Sequence, residues 1–232
     1  MSRDGAAGRP LAVLFDFGGT LDADGVPWKE RAFRLVREEG LVSASHEFDR
    51  IFYAADDALV GTVPPTLSLR DTVARLFAGL ASGLGLPGAD GVAQLAARFL
   101  DESLARLRDN APLLRRLAGR YRLGVVSNFY GNLAAACADA GVASYFATLV
   151  DSARVGCRKP DPAIFRHALA ALDVAPEAAL FVGDSLRRDM LGARGIGMPH
   201  VWVTPAASGP EAPCCPGDRV VRSLSELEDL LA

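Results

Sequence analysis

The 232-residue chain predicts an α/β fold, a doubly wound parallel sheet interrupted after its first strand by an all-helical insertion. Three observations carry that expectation. Residues 11–15 (LAVLF) are apolar at every position, as in a strand buried on both faces of a parallel sheet. The following stretch to residue 107 shows only the three-to-four spacing of amphipathic helices. From residue 121 onward short apolar runs alternate with helical ones, the order that gives right-handed βαβ crossovers.

Taken in order, the first strand ends at Asp16 and runs into the glycine pair Gly18-Gly19. Such a pair lets the backbone turn tightly and come close to a bound group. Helical spacing then marks residues 28–39, 47–60, 69–84 and 92–107, broken at Gly40, at Gly61 with Pro64-Pro65, and around 85–91. The second half reads as strands over 121–127, 146–150, 179–184 and 201–204, with helices over 132–140, 162–172 and 186–194 between them. Residues 209–217 read as a surface loop, and Ser223 as the cap of a closing helix to residue 231. The core is therefore Rossmann-like and formed by 1–22 and 108–232, with 23–107 as a helical cap beside the carboxyl ends of the strands.

Half of the residues are hydrophobic and 23% charged, an ordinary globular composition long enough to bury a sizeable core. A net charge of −3 argues against a nucleic-acid partner held by phosphate neutralisation. No apolar run approaches the roughly 18 residues of a membrane span. The N-terminus has no apolar stretch before Leu11 that would make a secretory signal, so a cytoplasmic location is expected. The four cysteines lack CxxC spacing; Cys137 reads as a small buried apolar residue, and vicinal Cys214-Cys215 as part of a loop or a redox handle. The sequence carries no signal for oligomeric state.

Chemistry-bearing residues fall at element boundaries. Asp16 ends the first strand and Ser127 the second, with Asn128 next to it. Lys159 precedes Pro160-Asp161-Pro162, a helix opener, and Asp184 ends a later strand five residues before Asp189. Each has a plainer reading alone: a strand-end acid often caps a helix, a lone serine often sits in a turn, and a lone lysine is usually solvated. Together, and in this order, DFGGT, VVSN, RKPDP and GDSLRRD resemble the four motifs of the haloacid dehalogenase-like hydrolase superfamily, over residues 11 to about 203.

That resemblance implies a fold with an inserted cap and a phosphatase of a small phosphorylated metabolite. It implies Asp16 as nucleophile, forming an aspartyl-phosphate, and Mg²⁺ held by Asp16, Asp184 and the Gly18 carbonyl. It further implies Ser127 and the Asn128 amide as phosphate donors and Lys159 as the cation beside the nucleophile. Thr20 would orient the first loop, and Asp189 would support the metal. Mg²⁺ suits such an oxygen-rich set.

One departure matters. Phosphatases resembling this chain carry a second Asp two residues after the nucleophile, where Gly18 stands here. A glycine cannot protonate a leaving oxygen, and such help is worth about 10²–10⁴-fold. Asp22 and Asp24 are the candidates to replace it. Gly18 also opens two other readings, a non-catalytic phosphoryl-ligand binder or regulator and a metal-independent 2-haloacid dehalogenase. Phosphonate cleavage through a cap lysine would fall to Lys29, the one lysine besides Lys159. Among Trp28, Lys29, Arg31 and Arg34, just beyond the first motif, one is expected to meet the substrate, the arginines otherwise lying on a solvated face. His46, His167 and His200 lack ligand spacing and read as structural or surface groups.

Overall fold

The computed structural model describes residues 9–41, 45–86, 89–205 and 219–231. Strand β1 (Ala12–Phe15) is wholly buried, as its unbroken apolar run requires. It lies between β2 (Arg122–Ser127) and β4 (Ala179–Gly183), both parallel to it. With β3 (Thr148–Asp151), β5 (His200–Val203) and β6 (Arg219–Val221) the strand order is β3-β2-β1-β4-β5-β6. All pairs are parallel among the described residues. The order reverses between β1 and β4, and ligands of open α/β sheets bind at the carboxyl ends of strands beside such a switch.

Residue alternation along β1 divides the core. Val13 and Phe15 join a cluster that also includes the helical insertion, whereas Ala12 and Leu14 pack with Ile164, Phe165 and Phe181 on the opposite face. The insertion contains α1 (Trp28–Glu38), α2 (Ser45–Leu59), α3 (Leu69–Leu84) and α4 (Ala89–Ala118). Helix α3 begins at Ser68, whose hydroxyl accepts from the Asp71 N–H, and ends at Gly85 in the left-handed region. Helix α4 continues past residue 107 to Ala118, with Pro112 inside it, so the expected boundary at 107/108 falls within one helix.

The rest follows the expected alternation, with α5 (Leu133–Asp139), α7 (Pro162–Leu172), α8 (Leu191–Arg194) and α9 (Leu227–Leu231), and adds an unexpected short α6 (Ser152–Val155), capped by Asp151. Four local differences have physical causes. The third strand begins two residues later than expected because 143–145 form a 3₁₀ turn and Tyr145 and Phe146 bond back to Val142 and Ala143. The helix expected from 186 opens as a π-turn over Leu186–Met190 that carries Asp189 inward. Edge strand β6, three residues long with exposed Arg219 and Val220, offers too little alternation to be read from sequence. Ser223 does not cap the closing helix; its hydroxyl lies 2.6 Å from that of Ser225, and a 3₁₀ turn opens the segment. Cys214 and Cys215 lie outside the described residues. No described helix is long and apolar enough to cross a membrane.

Candidate active site

Asp16 leaves β1 in extended conformation beside β4, its N–H donating to the Val182 carbonyl at 2.9 Å. Three groups converge on its Oδ1: the Phe17 N–H at 2.7 Å, the Ser127 hydroxyl at 2.8 Å and the Lys159 ammonium at 2.7 Å. The loop then turns at Gly19, whose φ is +95° and whose missing Cβ would lie 2.6 Å from Asp184 Oδ2. Only glycine meets both demands. Thr20, fully buried, donates its hydroxyl to Asp184 Oδ1 at 2.9 Å, which ties the first loop to that carboxylate.

Lys159 is 3% exposed and is shared between carboxylates, lying 2.7 Å from Asp16 and 2.7 Å from Asp189. Burial by itself would lower its pKa, but the Asp16 and Asp189 charges outweigh burial and the pKa is raised. The backbone beneath it is clamped by Asn128, whose Oδ1 accepts from the Lys159 N–H at 2.7 Å and whose Nδ2 donates to the Lys159 carbonyl at 3.1 Å. The Asn128 side chain is thereby committed to positioning Lys159.

Asp16, Asp184 and Asp189 each offer an oxygen within 4.8 Å of the others. Burial first, then the Asp16 and Asp189 charges, push the Asp184 pKa well above the usual carboxylate range. Burial likewise lifts Asp189 to about 6 despite its bond with Lys159. One lysine against three clustered acids leaves a deficit of positive charge. The oxygen-only donor set is one that a hard divalent cation satisfies.

Asp16, Gly18, Ser127, Lys159 and Asp184 line a cavity of about 420 Å³ that the helical insertion completes with Trp28, Lys29, Phe52 and Asp56. Phe129, Tyr130, Arg187 and Arg188 add walls from the core. Of the four residues proposed after the first motif, Trp28 and Lys29 reach this cavity. Arg31 does not, nor is it solvated: 5% exposed, it donates to Asp22, to the Phe99 carbonyl and to Ser103. Arg34 pairs outside the cavity with Glu102 and Glu38.

The two candidate replacement acids are spent elsewhere. Asp22, 1% exposed, accepts from the Gly19 N–H with Oδ1 and from Trp28 Nε1, Arg31 and Ser103 with Oδ2. Asp24 accepts from the Leu224 N–H and pairs with Arg106 at 3.1 Å. Neither lines the cavity. His46 and His167 are exposed, and no histidine lines it either. Cys137 is buried, and burial pushes its thiol up to about 12.

Sequence reasoning missed Asp56 and Tyr130, which meet through a 2.5 Å hydrogen bond. The usable signal was weak: Asp56 follows Phe52 by one helical turn, and Tyr130 follows Asn128 by two residues.

Comparison with known proteins identifies the family. A family model described as "haloacid dehalogenase-like hydrolase" matches residues 10–197. A phosphoserine phosphatase of Thermus thermophilus is 44% identical over 88 residues, which cover 38% of this chain and 35% of that protein. The match thus spans about a third of that relative's length. Among solved structures, a 2-haloacid dehalogenase of Pseudomonas syringae pv. tomato superposes with a TM-score of 0.54 at 28% identity, covering 95% of this chain and 97% of that one. A phosphatase of Thermococcus onnurineus shares the fold with a TM-score of 0.59 at 23% identity, covering 95% of this chain and 97% of that one.

Proposed function

The chain belongs to the haloacid dehalogenase-like hydrolase family, and on that premise we propose that it is a Mg²⁺-dependent phosphatase of a small phosphorylated metabolite. The observation that carries this reading is the sharing of Lys159 between Asp16 and Asp189 inside a three-carboxylate cluster. That arrangement suits a dianionic substrate, which needs fixed positive charge beside the nucleophile and a cation to neutralise the acids.

In this reading Asp16 attacks phosphorus, and the bond to the leaving alcohol breaks as an aspartyl-phosphate forms. Among the described residues the hydrogen bonds to the Asp16 side chain fall on Oδ1, so Oδ2 is the attacking atom. Lys159 stays against the carboxylate and counters charge on the transferring oxygens. Ser127 turns its hydroxyl from Asp16 toward a phosphoryl oxygen, and the Asn128 backbone N–H serves as the second donor. Asp16, Asp184 and the Gly18 carbonyl would hold Mg²⁺, with Asp189 supporting. The ion would supply charge neutralisation at the phosphoryl group.

The same proposal treats 23–107 as a cap that selects the substrate and 1–22 with 108–232 as the catalytic core. It also places the protein in the cytoplasm, in keeping with free Cys137 and Cys157. A panel of phosphoesters with Mg²⁺ tests the reading: turnover should exceed that of an Asp16→Asn control, and brief mixing with substrate should leave a phosphorylated Asp16 visible by mass spectrometry. Binding of phosphometabolite without that intermediate would instead indicate a regulatory binder. The likeness to a haloacid dehalogenase favours a second reading, which halide release in the presence of EDTA would establish.

A further inference from the structure

Hydrolysis of an alkyl phosphate moves two protons: one onto the leaving oxygen and one off the attacking water. Gly18 can do neither, and Asp22 and Asp24 are engaged by other partners and do not line the cavity. Among the described residues, the carboxyl side chains lining the cavity belong to Asp16, Glu30, Asp56 and Asp184. Asp16 and Asp184 are committed to the nucleophile and the cation, and Glu30 is half exposed and paired with Lys29 at 3.0 Å.

Asp56 remains. It projects from helix α2, is half buried, and accepts a hydrogen bond from the Tyr130 hydroxyl with Oδ1. We propose that Asp56 is the general acid and base of this site, supplied by the helical insertion in place of the side chain absent at position 18. This rests on the phosphatase reading above.

The environment suits the role. Burial raises the Asp56 pKa and the neighbouring Asp57 charge adds to that, while the Tyr130 hydroxyl and the Arg188 and Arg158 guanidiniums pull it down. Lys29 and Arg187 complete the charged lining. In the first half-reaction Asp56 gives its proton to the leaving oxygen as the P–O bond breaks, releasing an alcohol and leaving Asp56 as carboxylate. In the second, that carboxylate takes a proton from water whose oxygen attacks phosphorus. The Asp16–phosphorus bond breaks, inorganic phosphate leaves, and Asp56 is protonated again. Tyr130, itself pushed well above its ordinary pKa by burial and by Asp56, stays protonated and holds the carboxyl in place.

The test compares Asp56→Asn with the unaltered chain on β-glycerophosphate and on p-nitrophenyl phosphate, whose leaving group needs no proton. Turnover of β-glycerophosphate should fall by about 10²–10⁴-fold. With p-nitrophenyl phosphate, p-nitrophenol should appear in a burst at close to the original rate, with phosphorylated Asp16 accumulating because water is no longer activated. Equal slowing of the burst and of β-glycerophosphate turnover, or no change in either, overturns the proposal. Tyr130→Phe is the second variant: losing the donor that stabilises the carboxylate should move the high-pH limb of β-glycerophosphate turnover upward, and an unmoved limb overturns it too. If the unaltered chain releases no p-nitrophenol above Asp16→Asn, the phosphatase reading itself has failed. If it does and Asp56→Asn is silent, only the Asp56 assignment has.

Discussion

The indole of Trp28 lies over Gly18, so a Cβ at position 18 would stand 3.1 Å from Nε1 and 3.3 Å from Cδ1 and Cε2. The backbone there is ordinary, with φ −76° and ψ 118°, so a side chain would meet crowding against the indole and not an unfavourable conformation. The ring cannot easily retreat, because Nε1 donates to Asp22 at 2.7 Å and Phe99 and Phe129 pack edge-on against it. Gly18→Ala and Gly18→Asp should each destabilise the protein by about 1–3 kcal/mol, as overpacked sites do. A calorimetric melting point unchanged in both would show that the indole gives way.

Asp22 ties three parts of the chain together: the first loop through Gly19, helix α1 through Trp28 and Arg31, and helix α4 through Ser103. Its partner Arg31 is buried and also stacks over Phe99 at 4.0 Å. Removing one member of a buried pair strands the other charge and costs about 3–5 kcal/mol. Asp22→Ala should therefore lower the melting temperature by roughly 6–20 °C for a chain of this size. A drop as small as that of an exposed variant such as Asp57→Ala would refute the structural role.

What could be read from sequence divides along the same line. Asp16, Ser127, Lys159 and Asp184 sit at strand ends or helix openings, and local pattern alone reveals such boundaries. Because β1, β2 and β4 are adjacent and parallel, boundaries far apart in sequence meet in space. Arg31 looked like a solvated helix residue because its helical period says only which face it occupies, not that α4 covers that face. Asp56 was hidden for the opposite reason: it is a polar residue on an amphipathic helix, and only the packing of α2 against the cavity gives it a role.

The carboxylate cluster predicts a coupling between pH and metal. Asp184 and Asp189 keep protons in the folded state to higher pH than an unfolded aspartate, Asp189 to about 6. These two groups thus bind more protons in the folded state than in the unfolded chain between about pH 4 and pH 6, and their contribution to the stability of the metal-free protein falls as pH rises through that window. Mg²⁺ needs the ionised carboxylates, so its stabilisation should grow across the same range. Thermal melts with and without Mg²⁺ should show a larger gain at about pH 7.5 than at about pH 5, and Asp184→Asn should lose most of it. A gain that is equal at both pH values would argue against metal binding by this cluster.

Lys159 supplies the last test, because removing it should act in opposite directions on turnover and on metal binding. Lys159→Met keeps much of the buried volume but leaves Asp16 and Asp189 without their shared cation, in surroundings where burial already lifts Asp189. Turnover should drop by about 10²–10³-fold, the usual scale for losing one preorganised charge-stabilising group. The same substitution removes the cation that competes with a metal for the carboxylates, so Mg²⁺ affinity measured by calorimetry should rise or hold while turnover falls. Loss of both together would mean that Lys159 organises the carboxylates for the metal and does not act mainly on the substrate.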